Sequence, residues 1–245
     1  MSRILFLGEG DLAGPARYLA AVLRWMKLPF DHRPDRAKIP KLWRTPRRYG
    51  AIVLSDYRYA SFTDCSREWL LEEVRERGTG LIMIGGWASF TGLVGGYAGT
   101  PIERLLPVHC VPKDDRVNWA PGSVMTDVDD PPIVCGYHRA VPKPGTRTWL
   151  SLRDLRFQRG RASLGQPHPL LVTGAAGAGR TAAFLTDCAP HWAGGLVDWG
   201  TRRVTVPVAA GVAPEVGDRY LKFFAGLIRW ATARNVESPL NSMRF

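Results

Sequence analysis

Cysteine is scarce: Cys65, Cys110, Cys135 and Cys188 are the only four in 245 residues. They are far apart and none forms a Cys-x-x-Cys pair, which excludes a small disulfide-stapled scaffold and leaves free thiols as the expectation. His109-Cys110 and Cys135-x-x-His138 offer ligand-type side chains, but the spacing between the pairs fits no standard zinc module, so no metal is expected. Apolar runs of membrane-spanning length are also lacking. The run at residues 4–7 is too short for a secretory core. The expectation is a cytoplasmic protein with no membrane partner. Internal repeats and low-complexity tracts are missing as well. What the chain does have is 45% hydrophobic and 10% aromatic residues. That is the composition of a packed globular protein, and the length suits one large α/β domain over residues 1–245.

Acidic residues are in deficit, 22 against 33 lysines and arginines, for a net charge of +11. The excess is concentrated in two stretches. One holds Lys38, Lys41, Arg44, Arg47 and Arg48; the other holds Arg153, Arg156, Arg159 and Arg161. Such stretches can neutralise phosphates or form a solvated basic face. No known nucleic-acid module is present and no aromatic pattern accompanies the arginines in sequence, so nucleic acid is not an expected partner.

Residues 3–8 are apolar and β-prone, then glycines follow, then Ala16, Leu19, Ala20, Leu23 and Met26 recur at helical spacing over residues 14–27. This is the opening of a βαβ unit. Gly8-x-Gly10-x-x-x-Gly14 misses the dinucleotide spacing by one residue, and no acidic residue follows a second strand to take a ribose, so no cofactor is expected. Residues 30–33 and 51–54 read as strands, and residues 66–77 as a helix stopped by Gly78 and Gly80. Residues 81–84 form a fourth, uncharged strand. The alternation implies a parallel sheet with helices on both faces. The pattern turns irregular over about 113–166, an insertion with short strands at 133–136 and 148–150. Strands at 170–172 and 180–186 flank a glycine-alanine connection at 174–179, and a last amphipathic helix covers 218–234. The tail from Asn235 is expected to be loose.

The fourth strand ends at Gly85-Gly86-Trp87-Ala88-Ser89-Phe90. In open parallel sheets ligands sit beyond the carboxyl ends of the strands. Paired glycines there allow positive φ and close backbone approach. Gly85, Gly86, Trp87 and Phe90 are therefore candidate ligand-binding residues, with Asp56 at the end of the third strand. A tight turn that only packs Trp87 is the alternative.

Val53-Leu54-Ser55-Asp56, Ile84-Gly85-Gly86-Trp87-x-Ser89-Phe90-x-Gly92, Leu106-Pro107-Val108 and Gly179-Arg180-x-x-x-Phe184-x-x-Asp187-x-x-Pro190-His191-Trp192 together resemble the family of putative glutamine amidotransferases. That family belongs to the class I glutamine amidotransferase-like superfamily, which includes the trehalose-utilisation-type proteins. The resemblance implies a flavodoxin-like three-layer α/β/α sandwich with a mostly parallel sheet. An active glutaminase of this superfamily uses a cysteine on the turn after the central strand, a histidine as proton shuttle and a carboxylate to orient it. Here the turn is Gly85-Gly86 and holds no cysteine, so thioester chemistry is not expected.

His191 follows a strand end as the histidine does in active relatives, and Asp187 could orient it or cap the Pro190 turn. Ser89 lies near the turn. Cys188 could serve as a relocated nucleophile or as a small core residue. Trp192 and Trp87 could wall a pocket or pack as core aromatics. Two main readings follow: an enzyme using Asp56, Ser89 and His191 on a small polar substrate, and a ligand-binding or assembly protein that kept the scaffold without the chemistry. A third, an anion or nucleic-acid binder through the arginines, predicts steep salt dependence. A small polar molecule is the expected partner, and a homo-oligomer is plausible from the exposed aromatic and glycine loops.

Overall fold

A computed structural model describes residues 3–233 and 235–241. In chain order the elements are β1 (Arg3–Gly8), α1 (Arg17–Trp25), β2 (Phe30–Arg33), β3 (Tyr49–Ser55), α2 (Asp64–Arg75), β4 (Gly80–Ile84) and β5 (Val108–Cys110). There follow β6 (Arg116–Thr126), β7 (Ile133–His138), β8 (Ala140–Pro142), β9 (Arg147–Gln158), β10 (Arg161–Ala176) and β11 (Gly179–Phe184). The chain then makes the single-turn α3 (Pro190–Ala193), β12 (Arg203–Thr205), β13 (Glu215–Gly217) and α4 (Asp218–Thr232). Met1 and Ser2 lie outside the described residues, as does Arg234 at the expected end of the last helix.

Nine strands form one mixed sheet in the order β2-β1-β3-β4-β11-β10-β9-β6-β7. The first five are mutually parallel, pairing β1 with β2 and β3, β3 with β4, and β4 with β11. The remaining pairs are antiparallel. Parallel strands are covered on both faces and so read as continuous apolar runs, which is why β1, β3 and β4 were legible. Alternate residues serve opposite faces. Ile4, Phe6, Val53, Ile82 and Ile84 share one apolar cluster with α1 and α4, whereas Leu5, Leu7, Ile52, Leu54 and Met83 share the other with Trp69, Leu70 and Val74 of α2. Each such side chain, fully buried, contributes roughly 1.5–3 kcal/mol of transfer free energy.

Helix α2 starts where its cap dictates. Thr63 and Ser66 form a reciprocal capping box, with the Ser66 amide donating to Thr63 Oγ1 at 3.3 Å and the Thr63 amide to Ser66 Oγ at 2.8 Å. This satisfies donors that the first turn would otherwise orphan.

The stretch expected to be irregular is regular. β6, β9 and β10 are 11, 12 and 16 residues long and extend the main sheet. Prolines and arginines obscured the strands in sequence because the outer parts of these strands face water, where alternation is not enforced. The connection expected at 174–179 is shorter than the glycines suggested. Ala176 pairs with Gly179, so Gly177 and Ala178 alone make the turn, and Gly177 takes a φ of +61°. The described part of the tail, 235–241, is tied down rather than loose, and residues 242–245 lie outside the described residues. Arg180 Nη1 donates to the carbonyls of Trp230, Ala233 and Val236 at 3.0, 3.0 and 2.6 Å, and Leu240 packs against the core.

Candidate functional site

Four neighbouring parallel strands, β1, β3, β4 and β11, bring their carboxyl ends to one edge. Glu9 follows β1, Asp56 follows β3, Gly85-Gly86 follows β4, and Asp187-Cys188 follows β11. Glu9 is buried with a φ of 61°, and Asp56 has a φ of 52°. These positive values turn the chain sharply so that the side chains face inward.

Glu9 Oε1 accepts the Ser55 hydroxyl at 2.6 Å and lies 3.6 Å from Cys188 Sγ. The Glu9 and Asp187 carboxyls hydrogen-bond each other. Asp187 Oδ1 also takes the Ala189 amide at 2.9 Å. Burial pushes the Glu9 and Asp187 carboxyls up; the charges of Glu9 and Asp56 raise Asp187 further, while hydrogen bonds with Ser55, Asp187 and Cys188 partly offset the rise at Glu9. Two acids in this arrangement resist ionising together, because a dry site disfavours two adjacent negative charges. Asp56 is pushed up to about 8 by burial and by the charge of Glu9. Its Oδ1 accepts the Ala88 amide at 2.7 Å.

The diglycine is required by close approach. A Cβ on Gly86, whose φ is +140°, would stand 2.2 Å from Asp56 Oδ1, and one on Gly85 would stand 2.9 Å from the Thr186 carbonyl carbon and oxygen. The Gly85 amide donates to the Phe184 and Thr186 carbonyls at 2.8 and 2.9 Å.

Beneath this turn lies a histidine that the sequence did not single out for the site. His138, buried at the end of β7, has Nδ1 2.9 Å from Asp115 Oδ1, with Nε2 2.8 Å from the Gly86 carbonyl and 3.2 Å from the Gly86 nitrogen. With Nδ1–H directed at the carboxylate, a neutral ring accepts the Gly86 N–H; a doubly protonated ring donates to the carbonyl instead. Asp115 in turn accepts the amides of Gly92 and Thr91 at 2.7 and 3.3 Å. Asp115 and His138 thus pin both the diglycine turn and the glycine loop after it. Their separation of 23 residues hid the pairing, and the antiparallel strand β7 is what brings them together.

The other expected site residues take different places. Ser89 is buried, and its Oγ accepts the Asp56 backbone amide at 3.0 Å, so it holds the turn. Phe90 and Trp192 are buried and flank the His138 ring at centroid distances of 4.9 and 5.0 Å, in the core rather than on a pocket wall. Cys188 is buried with its thiol pushed well up by burial and by Glu9, the opposite of an activated thiolate. His191 is exposed, and among the described residues its ring contact is Trp87, at 5.6 Å, with no hydrogen bond to Asp56 or Asp187. Asp187 therefore serves the Glu9 cluster and the Ala189 turn instead of orienting His191. The His109, Cys110, Cys135 and His138 set does not converge: among the described residues the one close group of metal-type donors is Glu9, Asp187 and Cys188.

Outward from the acids a cleft of about 460 Å3 opens, lined by Glu9, Asp56, Asp35, Arg58 and Trp87 among others. Arg58 is clamped onto Asp35 by bonds of 2.6 to 3.2 Å. Trp87 is 43% exposed, with the Arg116 guanidinium 5.4 Å from its ring centre.

The family model described as "Putative glutamine amidotransferase" matches residues 36–204, more than half of the chain. The protein belongs to that family. Among solved structures it is similar to Cytoplasmic Protein STM1381 from Salmonella typhimurium LT2, at 23% identity and a TM-score of 0.72, over 94% of this chain and 100% of that one. It is also similar to Cytoplasmic Protein STM3548 from Salmonella typhimurium, at 26% identity and a TM-score of 0.67, over 81% and 93% of the two chains. A likeness of fold alone extends to Agd3, a novel carbohydrate deacetylase, at 14% identity and a TM-score of 0.53, over 78% of this chain and 30% of that one. No curated protein matches the sequence. No helix among the described residues is long and apolar enough to cross a membrane.

Proposed function

We propose that this member of the amidotransferase family binds a small polar ligand at the carboxyl edge of its parallel strands, without thiol chemistry. The scaffold is read as a single flavodoxin-like, three-layer domain, and its location as the cytoplasm. One observation carries the reading: two strand ends deliver Glu9 and Asp56 to the lining of an open cleft that Trp87 walls, with Asp187 buried behind Glu9. The turn after β4, where an active relative carries its nucleophile, is filled by two glycines, and the nearest thiol, Cys188, is buried and held protonated. A ligand in the cleft meets protonated carboxyls as donors, carboxylates as acceptors, and an indole face for its apolar or planar part.

A second reading, a hydrolase, draws on Asp56. A carboxyl that keeps its proton to about 8 can act as a general acid at neutral pH. Glutamine hydrolysis measured by ammonia release separates thiol chemistry from both readings: no release is expected from the wild type or from Cys188→Ala. Release that disappears in Cys188→Ala refutes the proposal. Calorimetric titration with glutamine, small amines and simple sugars then tests the cleft. At least one should bind, with about tenfold weaker affinity in Trp87→Ala, consistent with roughly 1–1.5 kcal/mol for one lost aromatic contact. Equal affinity in Trp87→Ala and Asp56→Asn places the ligand elsewhere.

A further inference from the structure

The sequence places no aromatic residue in register with the arginines of residues 153–161 except Phe157, but the fold brings a second from β6. The Trp119 indole N–H donates to the Leu155 carbonyl at 2.8 Å, and the Arg156 guanidinium lies 5.9 Å from the Trp119 ring centre. Beyond Leu155 the β9–β10 ribbon leaves the core. Residues 156–164 are all exposed, with Phe157 at 62% and Leu164 at 46%. Cross-strand register puts Arg156 opposite Ser163 and Gln158 opposite Arg161, with Arg159 and Gly160 at the tip, both at positive φ.

Two features mark this arm. No acidic residue occurs from Leu155 through Thr186. Among the described residues three neighbouring arginines, Arg156, Arg159 and Arg161, stand exposed together without a carboxylate partner, whereas Arg3, Arg48, Arg58, Arg67, Arg77 and Arg116 each have one. Beside the arginines lies a concavity of about 580 Å3, walled by Trp119, Pro121, Arg156 and Phe157.

We infer that this arm is a binding surface for single-stranded nucleic acid, with a base entering between Trp119 and Phe157 and the flanking phosphates meeting Arg156, Arg159 and Arg161. Stacking platforms beside a cationic track are the physical requirement for holding a flexible polyanion without reading its sequence. A duplex keeps its bases stacked and cannot fill the concavity. A flat anionic bilayer meets the arginines but leaves the concavity empty. A second copy of the chain carries the same positive tip and a net charge of +11, so like charges oppose pairing of arm with arm.

The test is fluorescence anisotropy of the full chain with a labelled oligothymidylate, alongside a duplex of equal length and vesicles of phosphatidylcholine with phosphatidylserine. The single strand should bind best, and affinity should fall roughly 20-fold from 50 to 200 mM salt if three phosphates are neutralised. The triple variant Arg156→Ala/Arg159→Ala/Arg161→Ala should lose more than tenfold at low salt and most of that salt dependence. Phe157→Ala should weaken binding with the salt slope unchanged. Lys38→Ala/Lys41→Ala, in the other basic stretch, should bind as the wild type does. The inference is overturned by equal or tighter binding of duplex or vesicles, by salt-insensitive binding, or by no binding at all. It is equally overturned if the arm variant and the Lys38/Lys41 variant weaken binding alike. Because the substituted arm residues are exposed, thermal midpoints within a degree or two of the wild type confirm that each variant is folded.

Discussion

In the parallel half of the sheet, β1 to β4 and β11, strands are four to seven residues long, and all but the edge strand β2 are covered on both faces. In the antiparallel half, β6, β9 and β10 are 11 to 16 residues long and run past the core into water. The two halves also carry different ionisable groups in different media. Carboxyls gather in a dry pocket at the ends of the short strands, where they retain protons; arginines stand in solvent at the ends of the long ones. The difference follows from pairing geometry. Parallel strands begin and end in register and deliver several chain reversals to one rim, so side chains from distant sequence converge there. A hairpin of antiparallel strands can be lengthened without moving anything else, and it projects whatever its tip carries.

The sharpest way to break this comparison is through two glycines of positive φ, one in each half. A Cβ on Gly8, at φ +117°, would lie 1.6 Å from the Ser55 carbonyl oxygen, whereas one on Gly160, at φ +75°, would meet nothing within 4 Å. Gly8→Ala is expected to cost about 4 kcal/mol or more, since backbone must move and the turn carrying Glu9 moves with it. Gly160→Ala is expected to cost about 1 kcal/mol, from the left-handed conformation alone. Urea denaturation of the two variants measures this. Similar costs for both would show that the rim is far more pliable than its contacts indicate.

A second variant asks whether the halves are mechanically joined. His138 belongs to the antiparallel edge yet holds the turn after β4 through Gly86 and the glycine loop through Asp115. His138→Ala removes the histidine of a fully buried pair, leaves the Asp115 carboxylate with only the Thr91 and Gly92 amides, and opens a gap between Phe90 and Trp192. The expected loss is about 3 kcal/mol. Proteolysis should also begin within residues 91–96, because their anchor Asp115 loses the histidine that holds it in place. Stability lost without new cleavage in that loop would mean that the pair supports packing but does not couple the halves.

How far the sequence anticipated each half follows from the same physics. β1, β3, β4, α1, α2 and α4 were readable because a buried strand must be apolar throughout and a half-buried helix must show a stripe. The rim was located for the same reason, since Asp56 and Gly85-Gly86 directly follow β3 and β4, and Asp187 comes shortly after β11. The use of the individual side chains was not readable. Ser89 and Asp187 carry polar groups that satisfy backbone amides of the turns, and a sequence does not say whether a hydroxyl faces a ligand or a peptide N–H. Glu9 went unnoticed because it lies in a glycine turn with no motif of its own, although it is the residue that Ser55, Asp187 and Cys188 all face. Asp115 and His138 could be found only through the register of β7, and the long β9–β10 ribbon was hidden because exposed strands have no reason to alternate.

The finest distinction between the halves is in their response to pH. Asp56 is raised to about 8, and Glu9 and Asp187 are also raised, all by burial first. In the unfolded chain these acids ionise near 4. Between the two values the folded protein holds protons that the unfolded chain has released. Their contribution to stability is therefore complete below about pH 4 and is lost as pH rises through the folded values, so for Asp56 the window is about pH 4 to 8. The slope from one such proton is at most about 1.4 kcal/mol per pH unit. Asp56→Asn keeps the acceptor for the Ala88 amide but cannot titrate, and should flatten the decline between pH 5 and 8 by no more than that amount. The arm variant lacking Arg156, Arg159 and Arg161 should leave the slope untouched, because arginines stay charged throughout this range. Urea unfolding at closely spaced pH values resolves the two. A decline unchanged in Asp56→Asn would assign the retained protons to Glu9 and Asp187 alone, and would leave Asp56 free to carry its charge into the cleft at neutral pH.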